Sequence, residues 1–282
     1  MNILTFDIEE WFHLLDVDAT NSVSKWNNYE KRIHKNMDVI FRFLNESNLS
    51  ATFFVVGWIA REYPDLIKKI NDLNFEIGSH TNLHQLLYSQ SYEMVESDLK
   101  DSISILEDIT GKKVTSFRAP GFSITEKNKW VFEILFKNGI THDCSIFPAN
   151  RAHGGFPSIN INSPCVIDFN GFSIKEFPIN TFKILNQNLI FSGGGYFRLT
   201  PYKIIKKLSE NSNYIMAYFH PRDFDYDQPI IKELSLYRKF KSYVGLKSCM
   251  PKLKKWTNEF SFVDIKTADK TINWGEIKVI KI

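Results

Sequence analysis

A chain of 282 residues, 43% hydrophobic and 15% aromatic, holds enough apolar surface for one large core, which excludes a disordered chain. Its 35 basic and 32 acidic residues leave a formal charge of +3, which excludes the global positive field of a nucleic-acid binder. Cys144, Cys165 and Cys249 are too few and too widely spaced for a disulfide framework or a paired-thiol metal site, and no apolar run reaches the roughly 18–20 residues of a transmembrane segment.

Residues 2–7 read as a strand ending in Asp7, directly from Met1 and without the charged and apolar regions of a signal peptide. A cytoplasmic protein is therefore the expectation, with peripheral membrane contact left open. Helical periodicity follows over 30–48 through Ile33, Met37, Ile40, Phe41 and Leu44, then a buried strand at 51–56 stopped by Gly57. A helix through Ile59, Leu66, Ile67 and Ile70 leads to a short strand at 75–78. The next helix, 91–109, carries Val95, Leu99, Ile103 and Leu106 on one side and closes on Gly111. A strand at 114–117 and a helix at 125–138 complete a run that favours a parallel sheet with helices outside it.

Residues 144–200 break the pattern with Gly154-Gly155, Pro157, Pro164, Pro178 and Gly193-Gly194-Gly195. Strand-like pieces at 165–169 and 173–177 make this an irregular lobe or a long loop decorated with a hairpin. Helices are expected again at 201–210, 229–244 and 249–257, with a strand at 214–219. No repeat and no linker is visible, so residues 1–282 read as one domain. A single α/β barrel of roughly 250 residues would use nearly all of it.

Chemistry gathers at the predicted C-terminal strand ends, where parallel barrels build their sites. Asp7 and Glu9 stand two apart and share a strand face, while Glu10 is a second candidate because strand ends twist. Alone, Glu9 and Glu10 read equally well as a solvated loop entry. If a helical turn starts at His80, His80 and His84 lie on one face and can ligate one divalent ion. Two histidines and a carboxylate suit zinc, and also iron, cobalt or nickel. Arg118, before Ala119-Pro120-Gly121, can hold a carboxylate ionised and aimed. His220 ends the late strand, with Pro221 to turn the chain and Asp223 and Asp225 near enough to polarise its imidazole. Each segment alone has an ordinary reading as surface charge or satisfied core. Four of them at equivalent strand ends do not.

The set Thr5-Phe6-Asp7-Ile8-Glu9, Ser79-His80-Thr81-Asn82-Leu83-His84, Arg118-Ala119-Pro120-Gly121 and Tyr218-Phe219-His220-Pro221 resembles the polysaccharide deacetylases of carbohydrate esterase family 4. Glu176-Phe177-Pro178 and Gly193-Gly194-Gly195-Tyr196-Phe197-Arg198 resemble the branch associated with bacterial exopolysaccharide and surface-glycan synthesis. The resemblance implies an α/β fold, a distorted (β/α)7 barrel with an irregular β-rich insertion. It implies Asp7 as catalytic base, Arg118 as its orienting arginine and His220 as general acid. His80 and His84 match the metal ligands. The family's second aspartate is Ile8 here, and the related D-x-[DE] form moves that ligand to Glu9. Pro120, Gly121, Phe122 and Tyr196 are the expected substrate contacts, Trp11, Phe122, Tyr196 and Phe197 could stack on sugar rings, and Asp143 occupies a variable pocket-forming segment.

The implied activity is metal-dependent removal of an N-acetyl group from a sugar in a surface polysaccharide or its precursor, with zinc as the first choice of metal. Hydrolysis of another C–N bond on the same fold, or an inactive glycan-binding module, are the alternatives. The sequence leaves the sugar and the oligomeric state open.

Overall fold

The computed structural model describes residues 1–15, 17–151, 153–184 and 187–282. Its strands are β1 (Asn2–Ile8), β2 (Thr52–Val55), β3 (Glu76–Ser79), β4 (Ser116–Phe117), β5 (His142–Asp143), β6 (Cys165–Phe169), β7 (Phe172–Glu176), β8 (Phe182–Ile184), β9 (Gln187–Leu189), β10 (Ile215–Phe219) and β11 (Val279–Lys281). Nine of them form one sheet in the order β10-β1-β2-β3-β4-β5-β7-β6-β11, and β8 and β9 form a separate hairpin. Every pairing in the large sheet is parallel except β6 with β7. Among the described residues the sheet ends at β10 and β11, without a hydrogen-bonded closure between them.

The two faces of β1 explain the arrangement. Leu4, Phe6 and Ile8 belong to the large core cluster shared with the helices. Ile3, on the opposite face, joins Phe54, Met216, Tyr218 and Phe177 in a second, inner cluster. Side chains alternate across a strand, so Thr5 and Asp7 face that inner side with Ile3. β1 is thus covered on both faces, as a central parallel strand must be. At Gly78 of β3 an added Cβ would stand 2.8 Å from the Phe54 ring and 2.8 Å from the carbonyl oxygen of Ser116, so the strands approach here only because this residue has no side chain.

Helices Ile33–Ser47 and Tyr92–Thr110 follow their apolar periodicity. Gly111 closes the second at φ +66, its N–H donating to the carbonyl of Glu107 at 2.8 Å. The single helix expected through Ile59 and Ile70 is two, Gly57–Glu62 and Pro64–Asp72, because Pro64 starts a new one. The helix expected from 125 begins at Val131, since Asn128 ties the chain into a turn through Thr125. The helix expected over 229–244 covers Leu236–Tyr243, with the Ser235 hydroxyl accepting from the Arg238 N–H.

The irregular region holds the hairpin β6–β7, turned at Asn170 and Gly171 with φ 53 and 88. Both residues take the positive φ that a tight hairpin turn requires. β7 then lies parallel to β5, which carries the inserted hairpin into the main sheet.

Candidate active site

Asp7, near the end of β1, points inward beside Thr5. Arg118 follows directly on β4, where its N–H donates to the carbonyl of Ser79 at 3.0 Å. Its guanidinium is fully buried. Nη1 donates to Asp7 Oδ1 at 2.8 Å and to Thr5 Oγ1 at 2.7 Å, Nε donates to the carbonyl of Cys144 at 3.2 Å, and the plane lies over the Phe54 ring. Burial disfavours a charged arginine, but the carboxylate of Asp7 outweighs it and raises the pKa of Arg118 further. Asp7 is therefore a buried carboxylate with one oxygen occupied and the other turned to the cleft.

Glu9 lies just past the strand. Its Oε1 stands 3.3 Å from His84 Nε2, 3.6 Å from His80 Nε2 and 3.5 Å from His220 Nε2. Burial pushes Glu9 up, yet the imidazoles of His84, His220 and His80 hold it well below the usual carboxylate range. His80 Nδ1 is 2.7 Å from the carbonyl oxygen of Arg118. A carbonyl can only accept, so Nδ1 donates to it and leaves Nε2 facing Glu9. A proton on Nε2 can bridge to the carboxylate, and neutral His80 offers the Nε2 lone pair to a cation in that place.

Ligand atoms about 2.0–2.1 Å from a tetrahedral divalent ion lie ~3.3 Å from one another, close to the separations of Glu9 from His84 and His80. Glu9, His80 and His84 thus fit a divalent ion in chemistry, tautomer and spacing. Asp7, Glu9 and His220 form a second, overlapping group of potential ligands.

The two histidines do not meet through a helical turn, as expected from their spacing. Residues 80–84 are a loop, with Thr81 and His84 at φ 64 and 52. Three side-chain bonds fix it. Thr81 Oγ1 accepts from the His84 N–H at 3.1 Å, and the Asp98 carboxylate accepts from the N–H groups of Asn82 and Leu83 at 2.6 and 3.1 Å. The rings end 5.3 Å apart.

Glu10 turns away from the cleft. Its Oε1 accepts from the N–H groups of Arg32 and Ile33 at 2.9 and 3.1 Å, capping the helix that begins there.

His220 follows β10 at the start of the turn Pro221–Phe224. Asp223 Oδ2 accepts from its backbone N–H at 2.9 Å and lies 3.1 Å from Nδ1, while Arg198 Nε holds Asp223 Oδ1 at 3.2 Å. Nε2 therefore points into the cleft, 3.8 Å from Asp7 Oδ2. Burial would lower the pKa of His220, but Glu9, Asp223 and Asp7 raise it to about 9. Burial likewise raises Asp223, and Arg198 with His220 brings it down to about 2. Asp225, the other acid considered for polarising His220, instead holds Arg32 at 2.6 Å.

Asp7, Glu9, His80, His84, His220 and Asp223 line one cleft of about 280 Å³ with Gly121, Phe122 and Tyr196, and Arg118 lies buried behind Asp7. Pro120 is buried and forms no part of that wall. Trp11 and Phe197 are buried too, Trp11 with its indole N–H on the carbonyl of Glu30, so neither can stack on a sugar. Asp143 does not shape the cleft. It is fully buried in register with Glu176 and accepts from the Ser145 hydroxyl at 2.6 Å, and burial raises both carboxyls.

Sequence reasoning missed His13, Thr5, Asp98 and Arg198. His13 lines the cleft with its ring 5.6 Å from that of His84, and neither ring nitrogen has a hydrogen-bond partner among the described residues. Strand alternation could have found Thr5. No local pattern announces His13 or Asp98, and Arg198 closes the Gly193–Arg198 motif without any sign of what it holds.

Residues 17–139 match the family model described as polysaccharide deacetylase, and residues 144–270 match one described as Domain of unknown function (DUF3473). The site crosses that division. His80, His84 and Arg118 lie in the first match, His220 in the second, and Asp7 and Glu9 before both. The chain is 26% identical over 107 residues to a peptidoglycan deacetylase of Helicobacter pylori, covering 38% of this chain and 36% of that protein. It is 35% identical over 82 residues to a chitooligosaccharide deacetylase of Azorhizobium caulinodans, covering 29% and 39%. The matches thus span little more than a third of the length of these relatives. A solved structure from Mycobacterium smegmatis, named for the polysaccharide deacetylases, superposes with a TM-score of 0.69 at 16% identity over 100% of this chain and 92% of that one. The shared feature is the fold, a mixed α/β arrangement around a mainly parallel sheet.

Proposed function

We propose that this chain, which belongs to the polysaccharide deacetylase family, hydrolyses the acetamido group of an N-acetylated sugar to acetate and a free amine. The observation that carries the reading is the meeting, in one cleft, of the Asp7–Arg118 pair, the Glu9–His80–His84 cluster and the His220–Asp223 pair. The names of the relatives, a peptidoglycan and a chitooligosaccharide deacetylase, support an acetylated amino-sugar glycan as the substrate class. An exopolysaccharide or its precursor is the particular substrate we favour.

Glu9, His80 and His84 would hold the divalent ion, zinc by preference, and the ion would supply Lewis-acid polarisation of the acetyl carbonyl. The remaining work falls to the chain's own groups. Asp7, held in place by Arg118, accepts a proton from the attacking water through the oxygen that faces the cleft. The water oxygen bonds to the acetyl carbon. His220, protonated and aimed by Asp223, then gives the Nε2 proton to the departing nitrogen as the C–N bond breaks. Without that proton the leaving group would be an amide anion. Tyr196, at the partly exposed wall, offers a ring face to a neighbouring sugar.

Acetate release from an N-acetylated chitooligosaccharide tests the reading, with elemental analysis of the same preparations. Glu9→Ala is expected to lose both metal and activity, whereas Glu10→Ala keeps its metal because that carboxylate caps a helix. Loss of metal from Glu10→Ala with retention in Glu9→Ala would refute the assignment.

A further inference from the structure

The helix Leu236–Tyr243 buries none of its residues. Leu236 is 85% exposed, Tyr237 69% and Phe240 56%, and Ile230 in the loop before them is 60% exposed. Eight residues are too few for a helix to persist alone in water, and partly buried Tyr243 alone packs on the main core, so something more secures this one.

Hydrogen bonds do so. Arg198 donates from Nη1 to the carbonyls of Ser242 and Val244 at 3.0 and 3.0 Å and from Nη2 to that of Lys241 at 3.1 Å. Arg238 Nη2 reaches back to the carbonyl of Leu15 at 2.6 Å. The polar anchor leaves the apolar side chains to solvent, with Leu236, Tyr237 and Phe240 at i, i+1 and i+4 on one side.

The helix itself is basic, with Arg238, Lys239 and Lys241, and from Leu234 to Asn258 the sequence adds four lysines and no aspartate or glutamate, Glu233 standing just before. Apolar and aromatic side chains within such a cationic field match an anionic lipid surface. The rings and Leu236 can enter the headgroup boundary while the flexible basic side chains stay among the phosphates. The face is also continuous with the cleft, since Lys241 and Ser242 line it together with the exposed Tyr196 and Leu199.

We propose that this face seats the protein on a bilayer containing anionic lipids, with the mouth of the cleft held at the headgroups. The membrane contact goes beyond the hydrolytic reading and is measurable without substrate.

The test is co-sedimentation with vesicles of phosphatidylcholine, with and without phosphatidylglycerol. Wild type is expected to pellet with the mixed vesicles, to stay in solution with phosphatidylcholine alone, and to be released by high salt. The double variant Leu236→Ser/Phe240→Ser, altered only at exposed side chains away from the cleft, should partition at least about tenfold less. Its acetate release from a soluble oligosaccharide should match wild type. Equal partitioning of variant and wild type, or absence of wild type from the mixed vesicles, would overturn the proposal. A wild-type dimer in solution that the variant abolishes would also overturn it, by assigning the face to a second copy of the chain. Vesicle binding without acetate release would strike the hydrolytic reading and leave the membrane contact standing.

Discussion

Arg118 serves the site twice, once through each of its chemistries. Its guanidinium fixes Asp7, and its carbonyl fixes which nitrogen of His80 faces Glu9. Base and acid are separable by substitution. Asp7→Asn should keep metal yet lose activity on the order of 10²-fold or more, because water then has no proton acceptor. His220→Ala should lose a similar factor on an acetamide but recover part of it on an activated acetate ester, whose leaving group needs no proton. Steady-state rates of both variants on both substrates decide the roles, and rescue of Asp7→Asn alone would reverse them.

Asp223 helps to set the pH range of His220. A raised histidine pKa keeps the protonated form present at neutral pH and loses it as pH rises through about 9. Asp223→Asn removes one of the charges that raise it. The basic limb of the pH–rate profile should therefore move to lower pH, with a smaller effect on the plateau. An unmoved limb would mean that another group sets it.

Among the elements, β3 depends on Gly78 and the loop after it on Asp98. Gly78→Ala would drive a Cβ against the Phe54 ring and the Ser116 carbonyl, with backbone on one side unable to swing away. A loss of about 1–3 kcal/mol in urea unfolding is expected, as for other overpacked interior positions. Stability within error of wild type would show that β3 and β4 can separate.

The same elements mark where local pattern stops being informative. Strands β1, β2 and β10 were legible because both faces are buried and their apolar runs are nearly continuous. β5 and β11 were not. Two or three residues carry no readable period, and their extended state comes from neighbours far along the chain. The hairpin β6–β7 was half-legible. Its strands were placed, but the Asn170-Gly171 turn that reverses them was passed over. His80 and His84 were grouped correctly by an incorrect local model, since side-chain bonds from Thr81 and Asp98, rather than helix geometry, bring them together.

At the scale of the whole molecule, the parallel sheet makes the site. Parallel strands align their C-terminal ends, so Asp7, Arg118 and His220 arrive at one edge from distant parts of the sequence. That convergence was readable once each residue was placed at a strand end. The supporting set was not. Arg198 is recognisable only after folding puts it between Asp223 and the carbonyls of the helix Leu236–Tyr243.

The pairing of β1 with β10, from Asn2 with Ile215 to Phe6 with Phe219, has a consequence in time. β1 waits for a strand made much later. Roughly 200 residues separate them, which at about 5–20 residues per second takes about 10–40 s on the ribosome. β2 can cover one edge of β1 early in that interval, but the other edge keeps its N–H and C=O groups open beside Leu4 and Phe6. Until β10 emerges, the nascent chain holds Asp7 beside an unfinished edge and lacks His220. An interrupted translation product would thus be both incomplete at the cleft and adhesive.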